Sequence, residues 1–302
     1  VLPEIQRLLL EDKNYEAQEL VYNNFTCLNR GSNWGNGSLS NFGCFQTLGN
    51  IKIDYYFDTD DDTDIDIKDG SYVRKLDLNN ALATTEFEAN ETKYRREYFV
   101  SRDADVAVIR LDADKSKMIS VDIKLERPER VEYDTEDNAI VMFGQLNDGD
   151  NGNEGLKYHS KLSVNNDGGD VQYIDNKIVV RNADELTLIF SSATNYKNDN
   201  YVAFVDSLMD DAKSHSYKYL KKNHVKSYKE LFDRVEVDLG EAITNNLSID
   251  DRLFDFQDED DPQLAALYFQ YGRYLFISST REDLLPPNLQ GLWANTIQTP
   301  WN

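Results

Sequence analysis

A mainly β fold, a large antiparallel sandwich followed by helices, is what the sequence predicts, on three observations. Apolar and polar residues alternate with period 2 through most of the stretch from Asn50 to about residue 196. Short polar turns separate the alternating runs, and beyond Tyr201 the apolar period lengthens to that of a helix. Ten or more such strands with no helical pattern between them argue for a large antiparallel sandwich. At 302 residues the chain can hold one large β unit with a helical appendix or two ordinary domains, and it buries a substantial core either way.

The elements follow in order. From Leu2 to Phe25 two short helices are expected: Ile5, Leu8 and Leu9 share one face, and Ala17, Leu20, Val21 and Phe25 share another after Asn14, a good N-cap. This arm is expected to pack on a sheet. Residues 30 to 49 are rich in Gly and Asn and read as a loop around Trp34. Strand character then begins with Ile51, Ile53, Tyr55 and Phe57. It continues through 72–78, 81–89, 92–100, 105–113, 118–126, 139–146, 156–164, 177–182 and 186–194. Phe204, Val205, Leu208, Ala212, Tyr219, Leu220, Tyr228, Leu231 and Phe232 mark a helical linker, whose Lys218, Lys222 and Lys226 read as a solvated face. VEVDLG at 235–240 reads as a returning strand, and 241–261 is polar. Asp261-Pro262 is an N-cap with Pro at the first helical position. The helix after it carries Leu264, Leu267, Tyr268, Tyr271, Leu275 and Ser278 on one stripe. With no helical neighbour expected in the chain, that stripe needs a partner.

Composition removes several function classes. The 32 Lys+Arg against 55 Asp+Glu give a formal charge of −23, which repels a phosphate backbone and disfavours nucleic acid, anionic membranes and acidic substrates. A neutral sugar is compatible. No apolar run is long enough to span a bilayer. The only cysteines, Cys27 and Cys44, are too few for a disulfide framework; one bridge or two free thiols both remain open. The start, VLPEIQRLLL, reads as a cut or processing boundary. No metal site is assigned: the acidic run 58–70 lacks the glycine and glutamate of a calcium loop, and 147–155 reads as a turn. His159, His215 and His224 lack a nucleophile beside them, and no phosphate-cradling glycine loop is present. No cofactor is implied.

The last residues carry the chemistry. Amides hydrogen-bond sugar hydroxyls in pairs and indoles stack on sugar C–H faces, and Asn288, Gln290, Trp293, Asn295, Trp301 and Asn302 fall in LPPNLQGLWANTIQTPWN at the C-terminus. They read as a pocket wall. A glycosidase also needs two carboxylates, which composition cannot nominate among 55 acids.

YFQYGRYLFISSTREDLLPPNLQGLWANTIQTPWN (268–302) resembles the opening of the catalytic barrel of glycoside hydrolase family 95, the inverting alpha-L-fucosidases. Upstream, 45–55, 72–89, 94–111 and 224–240 are similar to that family's N-terminal sandwich and linker. The resemblance implies an N-terminal β super-sandwich (1–200, with the helical arm at 2–25), a helical linker and returning strand (201–240), and the start of an (α/α)6 toroid (241–302). It implies an exo-acting, inverting hydrolase removing terminal alpha-1,2-linked L-fucose from glycans, exported to the periplasm or cell exterior, with a fucosylated oligosaccharide as partner and no cofactor. Its Glu acid and the Asn pair that orients water would lie beyond residue 302, so no catalytic residue is assigned here. Asn288, Gln290, Trp293, Trp301 and Asn302 are the implied substrate-binding positions. The chain is expected to be truncated at both ends, to pack on the rest of the barrel, and to be inactive alone. An alpha-L-galactosidase or another alpha-glycosidase of the same family is the nearest alternative. A non-catalytic carbohydrate-binding or structural sandwich is the second class, which would have no use for the helix at 262–279.

Overall fold

The computed structural model describes residues 1–25, 45–57, 67–136, 138–146, 155–240, 247–256, 261–282, 284–287, 289–290, 292–297 and 299. Cys27, Trp34, Cys44, most of the acidic run and all but the last residue of the 147–155 turn lie outside them.

Twelve described strands form two antiparallel sheets. The smaller joins β1 (Asn50–Tyr55), β6 (Ile119–Glu126), β11 (Lys177–Ala183) and β10 (Asp170–Ile174). The larger runs β2 (Val73–Asp77), β3 (Leu82–Ala89), β4 (Thr92–Val100), β5 (Ala107–Ala113), β12 (Glu185–Thr194), β9 (Lys157–Asp167), β8 (Ala139–Gln145) and β7 (Glu132–Glu136). The period-2 alternation of β6 turns Ile119, Val121, Ile123 and Leu125 inward. There they meet Phe87, Tyr94, Leu111, Ile140, Leu162 and Leu188 of the larger sheet in one continuous core.

The larger sheet is covered on its other face too. Helix α3 (Tyr201–Ser214) lays Val205, Met209 and Ala212 on Val106, Val108 and Ile189, and α4 (Tyr217–Phe232) adds Leu220. Burial on both faces explains the unbroken run of buried residues from Leu186 to Ile189 in β12. The linker is two helices because Ser216 has extended backbone and caps α4, accepting from the Tyr219 amide. Down α4, Leu220, His224, Tyr228 and Phe232 form the buried face; His224 stacks on Phe99 at 4.8 Å and Tyr228 Oη donates to Leu78 O at 2.8 Å. Lys218, Lys222 and Lys226 are solvated, as expected.

Four expectations need correction. The N-terminal helices α1 (Leu2–Leu10) and α2 (Asn14–Asn24) close mainly on each other through Ile5, Leu8 and Ala17, with Leu9 and Phe25 exposed. Asn14 begins α2 and does not cap it: the cap position is Lys13. Residues 235–240 form no strand and join no described sheet, since side chains of a later helix bind them instead. The polar stretch before residue 261 also contains a short helix, α5 (Ile249–Asp255), capped by Ser248.

Candidate functional site

Helix α6 (Pro262–Ser279) positions the loop singled out by sequence, and three sets of polar contacts fix it. At its start Asp261 accepts from the Leu264 amide at 3.0 Å and from Arg252 at 2.8 and 2.7 Å. Burial alone raises the Asp261 pKa, but these bonds outweigh it and hold the carboxyl below its ordinary value. In the middle, Arg273 donates to the carbonyls of Phe232 and Val235 at 2.8 Å and lies 4.8 Å over the Phe232 ring. The arginine of the Tyr-Gly-Arg-Tyr motif thus caps the C-terminus of α4. The expectation that α6 has no helical neighbour is therefore wrong: α4 is its neighbour, met also through Tyr228 and Tyr274 with rings 6.4 Å apart.

At its end, Arg102 of the β4–β5 turn donates to the carbonyls of Ile277 and Thr280, the latter at 2.9 Å, while Arg281 pairs with Asp105 and donates to the Arg102 carbonyl. Burial, then the neighbouring Arg281 charge, depresses the Arg102 pKa. The loop beyond is tied to the sandwich as well. The Thr47 amide donates to Thr296 O at 2.9 Å, and Thr299 Oγ1, on a side chain with 1 % exposure, donates to Phe45 O at 3.0 Å.

Of the sequence-predicted site residues, Gln290 is half-buried and Trp293 is half exposed on this loop, with Asn295 exposed beside it. Asn288, Trp301 and Asn302 lie outside the described residues. Of the predicted stripe, Leu264 is buried but Tyr268 and Tyr271 are exposed; the face that meets α4 centres on Arg273 and Tyr274. The side of α6 away from α4 is apolar and open, with Tyr268 at 76 % and Phe276 at 66 % exposure. Phe254 of α5, Leu289 and Leu292 are exposed too. Sequence reasoning missed Arg102, Arg273 and Arg281. Their acceptors are mostly backbone carbonyls, which leave no trace in residue type.

A cleft of about 450 Å³ opens on the outer face of β2, β3 and β4 beside α4, and a smaller one of about 170 Å³ lies at the α3–α4 junction. Neither is lined by the loop after α6. The buried carboxylate of the larger cleft is committed to pairing: Glu97, 1 % exposed, accepts from Arg95 at 2.5 Å, from Lys221 at 2.6 Å and from Tyr217 Oη. Such a carboxylate is poorly placed to exchange protons with a sugar. Among the described residues no group of three metal-ligating side chains gathers, and no helix is long and apolar enough to cross a membrane.

Residues 1–199 match the family model described as glycosyl hydrolase family 65, N-terminal domain, and residues 216–302 match that of the glycosyl hydrolase family 95 catalytic domain. The chain belongs to the family described as glycosyl hydrolase family 65, N-terminal domain, whose model covers about two thirds of it; its helical part matches the family 95 catalytic-domain model. The resemblance read from 268–302 is thereby borne out. The chain is similar to "Alpha-L-fucosidase 2" of Arabidopsis thaliana, 29 % identical over 85 % of this chain and 34 % of that protein. It is similar also to "Probable alpha-fucosidase A" of Aspergillus niger, 30 % identical over 88 % of this chain and 35 % of that protein. A protein of the same name from Aspergillus oryzae is 26 % identical over 88 % of this chain and 38 % of its own length. The chain spans about a third of the length of these curated relatives.

Proposed function

We propose that this chain is the N-terminal part of an exo-acting, inverting glycoside hydrolase that removes terminal alpha-1,2-linked L-fucose from glycans. The observation that carries the reading is the junction at α6. Family 95 catalytic-domain sequence begins on the helices packed against the sandwich, and its outward face is apolar and uncovered, as a helix awaiting the rest of its domain would be. In this reading α6 is the first helix of an (α/α)6 toroid and the remainder of the catalytic domain covers Tyr268, Phe269 and Phe276. The names of the relatives support the sugar.

Gln290 and Trp293, with Asn288, Trp301 and Asn302, form the substrate-positioning wall; the general acid and the residues that activate water belong to the remainder of the domain. Extracellular glycan as substrate goes with an exported enzyme. The test is the parent protein carrying Trp293→Ala or Gln290→Ala. Release of fucose from 2'-fucosyllactose should fall at least tenfold in kcat/KM, as loss of substrate positioning predicts. Unaltered turnover would remove these residues from the wall. A wild-type parent that releases galactose instead would move the reading to the alternative specificity.

A further inference from the structure

The loop after α6 is tied to the β sandwich, and among the described residues Arg127 holds the stretch that receives it. Arg127 follows β6 and is 7 % exposed. Its guanidinium donates to the carbonyls of Thr47 and Leu48, the latter at 3.0 Å, to Gln46 Oε1 at 2.6 Å and to Glu129 O at 3.0 Å. The Tyr158 ring lies 5.2 Å from it. Three of those four acceptors belong to Gln46–Leu48, a stretch with no strand or helix of its own to hold it. The rigid fork of donors substitutes for a ladder there, which a lysine's single ammonium cannot do.

The same stretch also holds the loop. Phe45 and Thr47 are the residues that bind Thr299 and Thr296. The close seat requires Gly49, because a Cβ there would stand 2.7 Å from the Glu126 carbonyl oxygen. A buried cation, an irregular strut and the candidate pocket wall thus stand in series.

We propose that Arg127 is a positioning residue: through Gln46–Leu48 it sets where Thr296 and Thr299 sit, and hence how Trp293 and Asn295 of the same loop meet a sugar. This rests on the reading of the loop as a pocket wall. The role is one the β domain performs for the catalytic domain, so the sandwich is part of the site's rigidity.

The test uses the parent enzyme as wild type, Arg127→Lys, Thr299→Val and, as control, Arg181→Lys, whose guanidinium binds Asp122 on the smaller sheet. Hydrogen exchange is followed in peptides covering Trp293 to Thr299, and KM and kcat are measured on 2'-fucosyllactose well below the melting temperature. Arg127→Lys and Thr299→Val should both accelerate exchange in the loop and raise KM, by roughly tenfold in KM for Arg127→Lys if the wall shifts by a fraction of an ångström. Arg181→Lys should change neither. A purely structural loss would lower the active fraction and leave KM alone. Loop exchange unchanged in both Arg127→Lys and Thr299→Val overturns the proposal. If the wild type releases no fucose while the loop exchange still rises in the variants, the strut stands and the sugar reading fails.

Discussion

Gly272 gives the sharpest handle on what covers α6. It lies within the helix, is exposed, and a Cβ at its position would meet nothing within 4 Å. A glycine in an exposed helix interior costs about 1 kcal/mol relative to alanine, and no contact among the described residues accounts for it here. Gly272→Ala in the 302-residue chain should therefore stabilise α6 by about 0.5–1 kcal/mol. In the parent enzyme, a helix packed closely over Tyr268, Gly272 and Phe276 would meet the new methyl, and overpacking costs about 1–3 kcal/mol. The sign should reverse. The assay is hydrogen exchange of the α6 amides together with urea unfolding, applied to the same substitution in both proteins. Destabilisation of the short chain would show that the face is already occupied. Equal stabilisation in both would show that nothing packs closely on it, and the reasoning from the open face would fail.

Three further outcomes follow from the sandwich. Glu97→Gln should cost about 2 kcal/mol, measured by urea unfolding. The figure sits below that for breaking a fully buried pair because the Lys221 and Arg95 side chains are 31 % and 39 % exposed and can resolvate; a change under about 0.5 kcal/mol would deny that this carboxylate clamps α4 to β4. Burial, against the opposing bond to the Ala81 carbonyl, depresses the His224 pKa below its ordinary value. The unfolded chain therefore binds the proton more readily, and stability should fall as pH drops through about 6.5 and continue falling until the folded-state pKa is passed. His224→Phe should flatten that slope in unfolding experiments between pH 7 and 5, and an unaltered slope would assign it elsewhere. Gly49→Ala should destabilise by about 2 kcal/mol, because the new Cβ is driven against the Glu126 carbonyl and Met142; a neutral melt would contradict the close seat.

The strands most legible in the sequence were those with several buried positions at period 2, such as β6 and β9, although β1 and β2, with no fully buried residue, were legible too. The two that escaped, β7 and β10, are the outer strands of their sheets. An edge strand packs on one neighbour only, so EYDTE needs just Tyr133 turned inward and DVQYI just Val171 and Tyr173, too short an alternation to register. Residues 235–240 failed in the opposite way. VEVDLG alternates like a strand, but its carbonyl at Val235 and carboxylate at Asp238 are taken by Arg273 and Gln263 of α6, a tertiary choice that local pattern cannot disclose. At the site, the amide and indole types of the loop were visible because composition alone singles them out. The arginines that hold it were not, since Arg102 and Arg127 act on backbone carbonyls distant in sequence, and a carbonyl carries no residue-type signal.

The decisive comparison is fucose release by the parent protein beside the 302-residue chain, on the same 2'-fucosyllactose and at equal concentration. Rapid hydrolysis is expected from the parent, with the beta anomer of L-fucose appearing first by NMR, and none from the shorter chain, because the proposal assigns the acid and the water-orienting residues to the remainder of the domain. Hydrolysis by the shorter chain, or a parent that leaves the fucosyl bond intact, would contradict the proposed division of labour.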